Sequence, residues 1–149
     1  DFFAKVVDCF GQLSAVAQEL QQPITTSENF VSSEHTLYIL SDDSANQILG
    51  LLKIGVKHLY VIKDEREPLI EIDAICLLDF YIYESAQRQG FGIQLFQNML
   101  DHQNISPAEI AYDRPSPKLL PFLQKHFGLR DFVHQPNRFV IFKEYFSNF

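Results

Sequence analysis

Gln87-Arg88-Gln89-Gly90-Phe91-Gly92 lies between an apolar run, Ile75 to Tyr83, and a run with helical spacing, Ile93 to Leu100. Two glycines one residue apart, where a strand gives way to a helix, let the backbone approach a ligand closely. The first amides of such a helix have no intrahelical partner, and the positive end of its dipole stands behind them. This pattern makes a seat for a phosphate or pyrophosphate. Its Q-x-x-G-x-G spacing is not a Walker A loop, which needs Gly-Lys-Ser/Thr, and it lacks the third glycine of the dinucleotide fingerprint.

Outward from this turn the chain reads as alternating α and β segments. Phe3, Val6, Val7, Phe10, Leu13, Ala17 and Leu20 recur at helical spacing, which predicts an amphipathic helix over 2–20, ended before Pro23. Thr36 to Leu40 is a short strand. Ile48 to Ile54 and Lys57 to Ile62 read as two strands of a hairpin turning at Gly55-Val56, followed by a charged loop from Lys63 to Pro68. Ile75 to Tyr83 is a long buried strand, and the helix after the glycine turn runs to about His102. Ile110 to Tyr112 is a strand closed by Asp113-Arg114-Pro115. Ser116 then stands as a helix N-cap with Pro117 at the first position, the helix continuing through Leu119, Leu120, Leu123 and Phe127 to Gly128. Pro121 conflicts with that start, so the helix either begins a turn later or opens distorted. Phe139 to Phe142 is the last strand.

The chain has 149 residues, so one domain over 1–149 is expected, and 46% hydrophobic content suffices for a core. No run approaches the ~20 apolar residues needed to span a bilayer, and nothing at the start reads as a signal peptide. Cys9 and Cys76 both sit in apolar sequence, far apart; no disulfide is expected and a reducing compartment is. A net charge of −7 argues against nucleic acid. The five histidines never fall at i, i+4 or beside a cysteine pair, so no metal site is expected.

Several motifs then carry a family resemblance. The glycine turn looks like the acetyl-CoA pyrophosphate loop of GNAT acetyltransferases. Gly11-Gln12-Leu13-Ser14, Pro23-Ile24-Thr25, Leu52-Lys53-Ile54-Gly55, Cys76-Leu77-Leu78-Asp79-Phe80-Tyr81-Ile82, Glu84-Ser85, Asp113-Arg114-Pro115-Ser116 and Asn137-Arg138-Phe139-Val140-Ile141-Phe142 together resemble the α-tubulin N-acetyltransferases. The resemblance runs from about residue 6 to the C-terminus, and Cys-x-x-Asp-Phe-Tyr and Asp-Arg-Pro-Ser are its most specific parts. The segment that such enzymes carry before the first helix is not seen, so the first family strand is expected to be absent.

The resemblance implies an α/β GNAT-like fold: a mixed central sheet flanked by helices, with splayed parallel strands holding acetyl-CoA as cosubstrate. It implies direct transfer of the acetyl group to a lysine of α-tubulin in microtubules, by a monomer in the cytoplasm at the cytoskeleton, cilia or axonemes included. No nucleic acid or membrane partner is implied. Three side chains are the implied catalytic set. Cys76 stands where related histone acetyltransferases carry a glutamate base, and a thiol near pKa ~8.5 is better matched to neutral pH than a carboxylate near ~4. Asp113 would orient or deprotonate the incoming lysine, and which of the two takes the proton stays open. Gln18 matches a glutamine the family needs for activity, with the substrate backbone as its proposed partner.

By the same resemblance, the Phe80 amide bonds the thioester carbonyl, and Phe80, Tyr81 and Ile82 border the cofactor. Gln87, Arg88, Gln89, Gly90, Phe91, Gly92 and Ile93 hold its pyrophosphate, and Ser116, Lys118, Leu119 and Lys125 lie toward the adenine end. Lys53, Lys57 and Arg114 are candidates for the tubulin-facing surface, with Lys63 and Arg66 nearby. Tubulin is acidic and so is this chain, so recognition needs such a local basic face; lysines on an exposed hairpin are otherwise ordinary solubilising charges. Two alternatives remain: a GNAT enzyme acting on another protein or a small amine, and a catalytically weak tubulin- or CoA-binding module.

Overall fold

The computed structural model describes residues 1–44 and 47–148; residues 45, 46 and 149 of the domain expected over 1–149 lie outside the described residues. The elements run α1 (Phe2–Ala17), α2 (Ser27–Val31), β1 (Thr36–Asp42), β2 (Gln47–Val61), β3 (Ile70–Ile82), α3 (Phe91–Gln103), β4 (Ile110–Asp113), α4 (Leu119–Phe127), β5 (Phe132–His134) and β6 (Phe139–Phe142). The strands form a six-stranded sheet in the order β1-β2-β3-β4-β6-β5. Within it β1 and β2 pair antiparallel, β3 and β4 parallel, and β6 antiparallel to both β4 and β5. This is the mixed α/β sheet expected of the fold class.

The chain separates into two compact units, Asp1–Gly55 with Leu78–His102, and Val56–Leu77 with Gln103–Phe149. In the first, α1 buries Val7, Phe10 and Ala15, α3 buries Leu95, Phe96 and Met99, and β2 supplies Leu51 and Leu52. In the second, Cys76, Ile110, Tyr112, Leu123, Ile141 and Phe142 form the centre of the core.

Three sequence readings change here. The hairpin at Gly55-Val56 does not exist: β2 is one strand of 15 residues. Leu49 to Gly55 are buried without alternation, and from Val56 onward exposed and covered residues alternate. The glycine therefore marks a change from two-sided to one-sided cover, which imitates a turn in sequence. Helix α1 stops at Ala17 rather than residue 20, with Glu19 left-handed at φ 58°. The Leu20 amide donates to the Ala15 carbonyl and the Glu19 amide to Val16, a Schellman closure built on a glutamate instead of glycine. Ser116 is not a cap, because α4 begins at Leu119 with Lys118 at the cap position. That places Pro121 in the first turn, where a missing N–H costs no helix hydrogen bond, so the late-start alternative is the one observed.

Candidate functional site

In the first unit, α3 begins directly on the glycine turn. The Gln94 amide donates to the Gly90 carbonyl at 3.2 Å, so Gly90 is the residue before the first helical turn. The amides of residues 91–93 then lie ahead of the intrahelical ladder, as an anion seat requires. Gly90 has φ 83°, and a Cβ placed there would meet nothing within 4 Å, so the space over this turn is open. Arg88 is also left-handed, at φ 66°, and exposed. Two glutamines brace the loop: Gln87 Nε2 donates to the Ile82 carbonyl at 2.8 Å, and Gln89 Nε2 to Ser85 at 3.2 Å. Phe91 and Ile93 are half-buried in the first turn of α3. At the end of β3, Tyr81 meets Phe10 edge to face at 6.2 Å, and Phe80 lies 5.9 Å from Phe96.

The same unit contains a polar cluster that the sequence reading did not assemble. Asp79 is only 3% exposed, on a strand otherwise rich in apolar side chains. Its Oδ1 accepts from Ser14 Oγ at 2.6 Å, from its neighbour's Phe80 N at 3.0 Å and from Gln18 Nε2 at 3.3 Å. Its Oδ2 accepts from Thr25 Oγ1 at 2.7 Å, and Gln18 Nε2 also donates to Ser14 Oγ at 2.9 Å. Four donors on one carboxylate make burial of its charge tolerable. Thr25 can reach it because residue 11 is glycine: a Cβ there would fall 1.8 Å from the Thr25 carbonyl oxygen. The signal was an aspartate inside an apolar run, which must find partners when buried, together with serine one helical turn after Gly11.

One expectation is narrowed in this unit and another fails. The Phe80 amide, assigned to a thioester carbonyl, is engaged by Asp79, so it can serve a ligand only as a shared donor. Lys53, expected on an exposed basic face, is 3% exposed, and its Nζ donates to the Ile24 carbonyl at 3.3 Å. It lies on the part of β2 that is covered on both faces, so it holds the 22–26 loop instead of meeting a partner.

The second unit brings Cys76, Asp113, Lys57 and Arg114 together. Parallel pairing matches Cys76 with Ala111 and Leu77 with Tyr112, which sets Asp113 one residue beyond the last parallel partner. Lys57 Nζ stands 4.0 Å from Asp113 Oδ2, and Arg114 Nε 3.6 Å from Oδ1. The carboxylate is 15% exposed and flanked by two cations. Arg114 is left-handed, at φ 42°, and its amide donates to the Arg138 carbonyl at 3.3 Å. Cys76 is wholly buried, its Sγ donating to the Ala74 carbonyl at 3.4 Å. Burial pushes its thiol up to about 12, against the opposing pull of Lys57. The thiol is therefore poorly matched to neutral pH as it stands, contrary to the comparison of reference values made above. Cys9, read as apolar in its surroundings, is exposed on α1.

The remaining candidates of this unit are less concentrated. Ser116 is half-buried and its carbonyl accepts the Leu119 amide at 3.0 Å. With that amide engaged and its side chain in the core, Leu119 offers a ligand neither group. Lys118 is exposed just before α4, whereas Lys125 is exposed in its last turn. Among the described residues no group of three or more His, Cys, Asp or Glu is arranged to hold a metal, and no helix is long and apolar enough to cross a membrane.

Residues 2–149 match the family described as GNAT acetyltransferase, Mec-17. The chain belongs to that family. Among curated relatives of this GNAT acetyltransferase, the α-tubulin N-acetyltransferase of Aedes aegypti is 45% identical over 97% of this chain and 54% of its own. The protein of the same name from Phytophthora infestans is 44% identical over 97% of this chain and 89% of its own. The chain thus spans about half the length of the first relative and most of the second. Among solved structures, a mutant AtaT toxin bound to the C-terminus of the antitoxin AtaR and acetyl-CoA aligns with a TM-score of 0.59. That alignment covers 95% of this chain and 86% of the toxin at 14% identity, and the likeness is one of fold alone.

Proposed function

We propose that this GNAT acetyltransferase moves an acetyl group from acetyl-CoA to a lysine of α-tubulin, by direct attack in a ternary complex. The observation that carries this reading is 45% and 44% identity, over 97% of the chain, to proteins named α-tubulin N-acetyltransferase. The pyrophosphate is assigned to the amides around Gly90 and Gly92, with Arg88 supplying charge. The acceptor side is assigned to Asp113.

A lysine is mostly protonated at neutral pH, with a pKa of ~10.4. Asp113 attracts that ammonium and takes its proton, directly or through a water, with Lys57 and Arg114 beside the carboxylate. The neutral amine attacks the thioester carbonyl carbon, a C–N bond forms, the C–S bond breaks, and the departing CoA thiolate takes up a proton. Buried Cys76 packs beneath this site as a neutral thiol, and takes part in proton removal only when substrate alters its surroundings. Of the candidate basic surface, Lys57 and Arg114 remain assigned to the partner's approach. Association with microtubules in the cytoskeleton follows from such a substrate.

The test is transfer of labelled acetyl groups from acetyl-CoA onto purified microtubules, with other proteins and a panel of free amines beside them. Preferential labelling of an α-tubulin lysine supports the reading. Equal or better labelling of small amines favours a GNAT enzyme of different substrate, and CoA binding without transfer favours a binding module.

A further inference from the structure

We infer that Asp79 is a positioning residue that fixes which way the Gln18 carboxamide faces. The inference rests on the proposed acetyl transfer to a protein lysine, and deepens its account of how the acceptor is held. Gln18 is half-buried at the C-cap of α1. Its Nε2 is used twice inside the protein, on Ser14 Oγ at 2.9 Å and Asp79 Oδ1 at 3.3 Å.

An amide can be turned over at little intrinsic cost, so something must choose between the two orientations. Here the carboxylate chooses. The reversed amide would put carbonyl oxygen against Asp79 Oδ1, two acceptors with no proton between them. Ser14 cannot relieve that clash, because its own proton is committed to Asp79 at 2.6 Å. With the nitrogen held inward, Oε1 points away from the cluster, and no described residue donates to it. Gln18 therefore presents an outward carbonyl oxygen, the group that recognises a main-chain N–H of an extended peptide. Glu19, left-handed immediately after it, and Thr25, bonded to the other carboxylate oxygen, fix both sides of this cap. The ligand class is a backbone amide of the lysine-bearing acceptor segment.

Asp79→Asn can keep the Oδ1 acceptor while its new N–H2 faces Thr25 Oγ1, whose hydroxyl can rotate to accept. It is the conservative variant. Asp79→Leu removes every acceptor at similar volume, and Ser14→Ala removes only the relay atom, so that a failure of Asp79→Leu to fold leaves the question testable. Gln18→Ala and Asp79→Leu should each raise KM for microtubules by about five- to tenfold, the equivalent of one neutral hydrogen bond, and Ser14→Ala by less. CoA affinity should stay within about twofold, and Asp79→Asn should recover most of the loss in Asp79→Leu. The Ser14→Ala, Gln18→Ala double variant should be no worse than Gln18→Ala alone, since both act through one carbonyl oxygen.

In the ligand-free protein, the two Gln18 side-chain amide protons should be distinct and slow to exchange by NMR. They should collapse to free-glutamine behaviour in Asp79→Leu, keep their distinct shifts but exchange faster in Ser14→Ala, where the 3.3 Å bond to Asp79 remains, and stay protected in Asp79→Asn. Additive losses in the double variant, or Gln18 amide protons that lose their distinct shifts in Ser14→Ala while Asp79 is in place, overturn the inference. A wild-type protein that leaves microtubules unlabelled but shows the NMR collapse overturns the tubulin reading while supporting the orientation device.

Discussion

Replacing Gly11 with alanine should destabilise this protein, although the same change in the middle of an exposed helix ordinarily stabilises by about 1 kcal/mol. The added Cβ would lie 1.8 Å from the Thr25 carbonyl oxygen and 2.9 Å from its carbonyl carbon, both main-chain atoms that cannot rotate aside. A carbon–oxygen contact relaxes at about 3.3 Å, so the 22–26 loop must retreat by roughly 1.5 Å. That movement carries Thr25 Oγ1 away from Asp79 Oδ2, now 2.7 Å distant, and breaks the bond. Overpacking costs about 1–3 kcal/mol, and a hydrogen bond lost from a buried carboxylate about 1.5–3 kcal/mol. After the helix gain is subtracted, the net loss is about 1.5–5 kcal/mol. At roughly 2–4 °C per kcal/mol for a domain of this size, Tm falls by about 3–20 °C. Urea unfolding followed by circular dichroism measures the difference at an unchanged m value. A Gly11→Ala protein with equal or higher stability would refute the close α1–loop contact and the Asp79 network that depends on it.

Thiol titration should find Cys9 reacting quickly and Cys76 only on unfolding or at strongly alkaline pH, because one is exposed and the other buried with its thiol pushed up to about 12. Comparable rates for both at neutral pH would contradict that burial. NMR should place His58 above its ordinary 6.5, chiefly through its hydrogen bond to Asp73 at 2.8 Å and then that to Glu71. Its stabilising contribution is then fully present below 6.5 and lost as pH rises through the raised value. Asp73→Asn should move the titration back down, and an unmoved midpoint would show that the pair is not formed in solution.

Where one face of a helix alone was covered, its sequence was legible. The spacing of Val7, Phe10 and Leu13 predicted α1, whereas of β3 only the continuously buried apolar run before Gly90 was read and the alternating residues 70–74 were not. Legibility failed where cover changed along one element. Two-sided burial of Leu49–Gly55 erased the alternation that would have joined it to the rest of β2. Short elements carried too few residues for a period. The five-residue α2 is announced only by its Thr26–Asn29 capping box, and the three-residue β5 by nothing local. The Asp79 cluster was missed for another reason: its members, from residues 14, 18, 25 and 79, are brought together by tertiary packing. Lys53 was misassigned because a lysine defaults to the surface, and only the two-sided cover of its strand shows that this one cannot. Asp113, by contrast, was assigned through the resemblance carried by Asp113-Arg114-Pro115-Ser116, since its position at a strand end alone reads as a turn aspartate; Lys57 and Arg114 lie beside it.

The central claim divides the reaction between a cofactor seat on the α3 turn and an acceptor side at Asp113. It is tested most directly by measuring acetyl-CoA affinity and single-turnover transfer to microtubules in Gly92→Val and Asp113→Asn proteins of native fold. The account predicts that Gly92→Val loses CoA binding, because a β-branched side chain blocks the approach of the pyrophosphate to the backbone. It predicts that Asp113→Asn keeps CoA affinity and loses turnover at saturating cofactor. A Gly92→Val protein with unchanged affinity, or an Asp113→Asn protein that loses CoA and keeps turnover, would contradict it.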